Sequence, residues 1–360
     1  MEEEKLAKVP TKRIEYIDAM RGFTMMLVVL VHVCEARKGL DFYGVTNSIN
    51  RFFSTFRMPL FFFVSGFVFF KASRVFDFGT VKSFLAKKFT VQIVPTVIFG
   101  LLFAWFSKYA APSDLLFSKF RGGYWFTVAL FEFFLIYIAF TVVADFFKLR
   151  DRWRNLLLVL IALLLYPLGV DKIGRSLGLS DNLRGLLGCY SFTFFIFFVF
   201  GTLARKYYAS FTRFLTGSTC MAVVIALYFA VSFFAIKTGA ATQFGPWTDS
   251  LYRIVMGALG ITVAVAFFHK YQASFSQGTR LGRTLQYIGR RTLDIYLLHY
   301  FFLPYGFSSV GKVLNGQPVA AWVVGWGFTV VVVAFCLVLS SVIRVSPLLA
   351  RLLFGVEQKK

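Results

Sequence analysis

The sequence predicts an all-α, polytopic membrane protein with about ten transmembrane helices and both termini cytoplasmic. Three observations carry that reading. Of 360 residues, 58% are hydrophobic and 48 are phenylalanine, which leaves a soluble chain of this length too little polar surface to cover a core. The apolar residues recur in blocks near the length that crosses a hydrocarbon layer, roughly 20 residues at 1.5 Å each. The basic residues gather between those blocks. With the N-terminus inside, 25 of the 39 Lys and Arg fall on the cytoplasmic side and 12 on the other, the asymmetry that orients membrane helices.

Taken in order, the blocks lie at about 16–34, 51–70, 89–107, 124–146, 155–170, 185–204, 217–236, 251–269, 291–311 and 319–343. The fifth is the shortest, with Pro167 and Gly169 near its end. The clusters Lys82-Lys87-Lys88, Lys148-Arg150-Arg152-Arg154 and Arg280-Arg283-Arg290-Arg291 all fall inside under this alternation. Trp105, Trp125, Trp322 and Trp326 sit near outer ends, where an interfacial aromatic belt belongs. No polar stretch is long enough for a separate soluble domain. The expected organisation is a cytoplasmic N-terminal segment (1–13), one membrane domain (14–345) and a cytoplasmic C-terminal tail (346–360). The opening MEEEKLAKVPTKRIEY carries no signal-peptide cleavage pattern, so the first block is expected to remain as a helix.

Topology also accounts for the net charge of +22, which in a soluble protein would suggest nucleic acid; no nucleic-acid partner is expected. The cysteines (Cys34, Cys189, Cys220, Cys336) lie in or beside apolar blocks without CxxC spacing and read as small buried hydrophobes. No HExxH, Walker loop, GxSxG or Cys/His metal spacing is present, so no metal is expected.

Ionisable groups at bilayer depth are costly and mark function. Here they are Asp18, Arg21, His32, Arg57, Glu132, Asp294 and His299. In IEYIDAMRGFTMMLVVLVHVC, Arg21 and His32 are 11 residues apart, only ~20° beyond three full helical turns. They share a face, ~16 Å apart along the axis. Asp18 can pair with Arg21 one turn on. Arg21 lies close to the cytoplasmic face, where snorkelling alone could hold it, and His32 ~21 Å in. An imidazole there needs a partner or a cavity, and it titrates near neutrality. In FRMPLFFFVSGF, Arg57 precedes Pro59, which weakens the helix, and Ser65-Gly66 follows at mid-depth, as close helix packing would have it. YWFTVALFE puts Glu132 ~12 Å below its outer end, and RTLDIYLLHYFF puts His299 ~12 Å above its inner end. Arg57, Glu132, His299 and His32 therefore fall at middle to outer depths. An Arg57–Glu132 ion pair is one structural reading. Two histidines beside it suggest a reaction chamber or a proton path.

The run YIDAMRGFTMMLVVLVH resembles the opening motif of the acyltransferase 3 family, an Asp, a following Arg, and a His separated from that Arg by ten residues, as Arg21 and His32 are. FRMPLFFFVSGF resembles the family's second-helix motif, YWFTVALFE its Trp-to-Glu segment, and IYLLHYFF its late Tyr-to-His segment, in the family's order. The resemblance implies an integral-membrane enzyme of the bacterial inner (cytoplasmic) membrane. It would move an acyl group, commonly acetyl from acetyl-CoA, onto a hydroxyl of an exported or lipid-linked glycan. It points to His32 and Arg21 as catalytic, with Asp18, Arg57, Ser65, Trp125, Glu132, Tyr296 and His299 supporting or substrate-binding. No hydrolase-like C-terminal domain of the kind some members append is expected. A base for the acceptor hydroxyl fits His32, and donor phosphates or Asp18 fit Arg21. Glu132 could orient His32 or His299, and Arg57 could polarise the thioester carbonyl. The competing reading is a flippase or proton-coupled exporter with the same charges as a relay; no inverted internal repeat supports it.

Overall fold

Residues 13–35, 47–107, 111–238, 246–307, 309–314 and 317–355 are described by the structure, a computed structural model. Most of the expected N-terminal segment and the end of the tail lie outside them. Among the described residues every regular element is helical.

Helix α1, Glu15–Cys34, runs unbroken for 20 residues and stops where Glu35 turns extended. Helix α2, Asn47–Phe69, keeps Pro59 inside it. Helix α3, Phe78–Lys88, is capped by Asp77, whose carboxylate accepts the Thr80 N–H at 2.7 Å; this satisfies a donor the helix itself cannot. A π turn, Phe89–Ile93, carries it into α4, Val94–Phe106. After the short α5, Asp114–Phe117, come α6, Trp125–Phe146, and α7, Asp151–Gly169. Helices α8, Asp171–Ser176, and α9, Asp181–Leu186, lead to Gly188 at φ 65°. A 3₁₀ stretch, Cys189–Phe194, then enters α10, Phe195–Lys206. The rest are α11, Tyr208–Thr216; α12, Ser218–Thr238; α13, Pro246–Lys270; and α14, Arg280–Arg290. They are followed by α15, Thr292–Leu298, with a 3₁₀ turn at His299–Phe301; α16, Ser309–Val313; α17, Pro318–Ile343; and α18, Pro347–Phe354.

Among the described residues six helical segments are long and apolar enough to cross a membrane: Glu15–Cys34, Phe78–Phe106, Trp125–Phe146, Asp151–Gly169, Pro246–Lys270 and Pro318–Ile343. Helices α11 and α12, bent by 78°, make a seventh if counted as one span. Ten were read from hydropathy, and the other blocks have local features of their own. Helix α2, Asn47–Phe69, has a described apolar stretch at Phe53–Phe69. The block at 185–204 is broken by the left-handed Gly188 and a 3₁₀ stretch, and the block at 291–311 tightens to 3₁₀ at His299 and ends in turns. Exposed side chains such as Trp105, Phe106, Val323 and Val338 face outward, as lipid allows.

The chain forms two compact units interleaved in sequence: one from residues up to Phe61 together with Tyr208–Val342, the other Phe62–Tyr207 with Ile343 onward. In the first, α1 packs on α14 through a pair of glycines. A Cβ on Gly22 would strike the Leu285 carbonyl, and one on Gly289 would strike the Asp18 carbonyl. Gly289→Val is therefore expected to destabilise the protein by about 3 kcal/mol, as overpacking does, read as a lower thermal midpoint in detergent. In the second unit, Gly66 of α2 abuts the Phe198 carbonyl and Gly201 of α10 abuts the Phe63 carbonyl. Close helix packing accounts for Gly66. Around that contact Phe62, Phe133, Phe195 and Phe198 interlock, with Phe62 and Phe133 centroids 5.0 Å apart and Phe133 and Phe195 5.1 Å apart.

Candidate active site

In the first unit α1 lies along the segment 292–301, and the two touch at both ends. Near the start, Arg21 donates from Nη2 to the Thr292 hydroxyl at 3.1 Å, with Asp18 3.9 Å from its Nη1. Asp18 is buried and its closer cation is Arg13, which donates to it from Nε. Near the end, His32 meets both His299 and Tyr300. The ring centroids of His32 and His299 are 5.3 Å apart, and those of His32 and Tyr300 5.1 Å. Because α1 is unbroken, the ~16 Å axial separation of Arg21 and His32 holds. The face they share is the face that meets 292–301.

Proton positions at the histidines follow from their neighbours. His299 is fully buried, and its Nδ1 lies 2.8 Å from the Tyr296 carbonyl and 3.1 Å from the Ile295 carbonyl. Carbonyls only accept, so Nδ1 carries the hydrogen and the neutral ring keeps its lone pair on Nε2. The Nε2 of His32 stands 3.3 Å from the Tyr300 hydroxyl. The Tyr305 hydroxyl donates to the Tyr300 carbonyl at 2.9 Å, bracing that turn. Tyr296 is buried, its ring 6.1 Å from that of His299. Asp294 is also buried, taken up by the Ser340 hydroxyl of α17 and by Arg291 at 3.7 Å. Arg57 sits half-buried on α2.

The second unit holds a separate polar centre. Glu132 on α6 accepts from Arg121 at 3.3 Å and from the Ser191 hydroxyl at 2.9 Å. Within this unit the cation beside Glu132 is thus Arg121, and its hydroxyl is Ser191. Arg121 also donates to the carbonyls of Gly185 at 2.9 Å and Leu115 at 3.0 Å. Trp125 lines the same shallow pocket, its ring 5.3 Å from Phe194. Gly188 closes the pocket; a Cβ there would overlap the Glu132 carboxylate. Next to it, the wholly buried Arg184 donates to the Leu168 carbonyl at 3.1 Å and covers the Tyr190 ring at 4.4 Å. Hydrogen bonds from Arg175 hold the Asp181 carboxyl below the usual carboxylate range. Ser65 is half-buried on α2.

Tyr300, Arg121 and Ser191 are among the residues of these centres that escaped the sequence. Tyr300 had one usable signal, its place beside His299. Arg121 had the Arg-Gly-Gly run, in which all three residues take positive φ, turning the side chain back from the loop.

Among the described candidate spans α1 is the most enclosed, and it sets an imidazole against a hydroxyl near one end and an arginine against a second hydroxyl near the other. Residues 14–341 match the acyltransferase 3 family through its acyltransferase domain, and the chain belongs to that family. It is a multi-pass membrane acyltransferase. No curated protein and no solved structure matches it.

Proposed function

We propose that the protein transfers an acyl group, acetyl from acetyl-CoA, onto a hydroxyl of an exported or lipid-linked glycan, with His32 as the general base. The observation that carries this reading is the Tyr300 hydroxyl 3.3 Å from His32 Nε2. An atom that accepts from one hydroxyl is placed to accept from another, which is what a base must do. His32 Nε2 takes the proton of the acceptor hydroxyl while its oxygen attacks the thioester carbonyl. The C–S bond then breaks, and the thiolate leaves with the proton that Nε2 returns. Arg21 binds the donor at the other end of α1 through its phosphates, and its bond to Thr292 fixes its direction. The ~16 Å between the two suits an extended thioester arm. Arg57 polarises the thioester carbonyl.

The distribution of Lys and Arg supports cytoplasmic termini in a bacterial inner membrane, with the donor entering from the cytoplasm. Mass spectrometry of surface glycans and lipids from cells with and without the protein tests the reaction. One acetyl per modified sugar is expected to vanish with the gene. Identical glycan masses, with transport of the glycan lost instead, would overturn it.

A further inference from the structure

Helix α1 ends one turn after its histidine, and the residue that ends it is a carboxylate. Glu35, the first non-helical residue, takes φ −70° and ψ 139°, while its own N–H still reaches back to the His32 carbonyl at 3.4 Å. That turn folds its side chain over the helix end, where Oε2 lies 3.2 Å from His32 Nδ1. The imidazole is therefore held on both edges, by Glu35 at Nδ1 and by the Tyr300 hydroxyl at Nε2. A carboxylate only accepts, so Nδ1 carries the hydrogen and Nε2 presents its lone pair. Among the described residues, the groups set against His32 include Glu35 from its own chain segment and His299 and Tyr300 from the turn packed on α1. Of these only Glu35 is an anion.

We infer that Glu35 is the positioning residue of His32. It fixes the tautomer that can act as base and stabilises the imidazolium formed when Nε2 takes the acceptor's proton, and the Tyr300 hydroxyl marks where that acceptor oxygen binds. The inference rests on the proposal that His32 is the base. A carboxylate on the far edge of a catalytic imidazole does this work in other transfer enzymes, by orientation and charge without itself taking up the proton. The last turn of α1 adds to it, because its free carbonyls favour positive charge on His32. Glu35 is 40% exposed in its side chain and His32 25%, so the pair is open enough for an acceptor to reach it.

The test uses envelope membranes carrying the full-length protein and its native acceptors, supplied with labelled acetyl-CoA, with and without hydroxylamine. Hydroxylamine is a neutral nucleophile at pH 7 and needs no base, whereas a sugar hydroxyl does. Glu35→Gln is expected to lower label transfer to the glycan fraction about 10- to 100-fold, a share of the general-base effect, with the KM for acetyl-CoA unchanged. Acetohydroxamate formation is expected to stay within about two-fold of wild type, and Glu35→Asp to restore part of the glycan activity. His32→Gln, run alongside, separates the two claims. If it is inactive while Glu35→Gln transfers normally, Glu35 has no positioning role and the base stands. If His32→Gln is itself active, the base falls. If Glu35→Gln loses both acceptors equally, Glu35 is only structural, and the inference fails.

Discussion

His32→Gln is expected to lower acyl transfer by at least about 100-fold, the lower end of what a positioned general base contributes, while the protein stays folded and inserted. Glutamine is the informative choice because it keeps much of the volume and one polar end. The half-exposed site then loses its base without gaining a cavity or a buried charge. The effect should fall on kcat, since the proton is taken only as the acceptor oxygen attacks. Arg21→Ala is expected to act differently. It removes the bond to Thr292 and the cation at the donor end, so KM for acetyl-CoA should rise more than kcat falls. His269→Gln is the control. That histidine closes α13 beside Lys270, with its ring edge-on to Tyr16 at 5.6 Å, and should leave transfer within about two-fold, as surface-like substitutions do. Labelled acetyl-CoA with envelope membranes reads all three. Full activity in His32→Gln, with insertion verified, would remove the residue from the chemistry.

What the sequence could show at this site was what helical periodicity encodes. Eleven residues nearly close three turns, so Arg21 and His32 had to share a face, and the face they share meets 292–301. Depth likewise picked out His299, which is fully buried, and Glu132, which is partly buried. Partners were harder. Tyr300 is one aromatic among many in an apolar run, and nothing in its type separates a hydroxyl aimed at a histidine from a packing ring. Glu35 lies one residue past the apolar block, where a charge reads as loop, although its spacing from His32 is one helical turn. Arg121 was counted among the loop charges that orient the chain, and counting by loops cannot see a cation folded back under a helix start. The broken spans have the same origin. A hydropathy average over 185–204 or 291–311 is blind to one left-handed glycine or one 3₁₀ turn, yet those breaks set Glu132 against Ser191 and His32 against Tyr300.

The second large effect is expected in stability, at the Arg121–Glu132 centre. The Arg121 side chain is 10% exposed and that of Glu132 20%, so losing one partner strands the other away from water. Removing one member of such a pair costs about 3–5 kcal/mol when burial is complete, and about 3 kcal/mol is expected for Arg121→Ala here. The two partners are not equivalent. Without Arg121, the Glu132 carboxylate keeps only Ser191, and the carbonyls of Gly185 and Leu115 lose their donor. Without the Glu132 charge, as in Glu132→Gln, Arg121 keeps those carbonyls and the amide can still accept from it. Glu132→Gln should therefore cost about half as much or less. Arg121 also sits at φ 45°, a left-handed backbone that costs an L residue about 1 kcal/mol and glycine almost nothing. Arg121→Gly is then expected to be about 1 kcal/mol more stable than Arg121→Ala, although it removes more side chain. Thermal midpoints of the purified variants in one detergent give that order: wild type, Glu132→Gln, Arg121→Gly, Arg121→Ala. Arg121→Ala at the level of Glu132→Gln would mean that the carbonyl contacts contribute nothing. A glycine variant below the alanine one would mean that the left-handed turn relaxes once the guanidinium is gone.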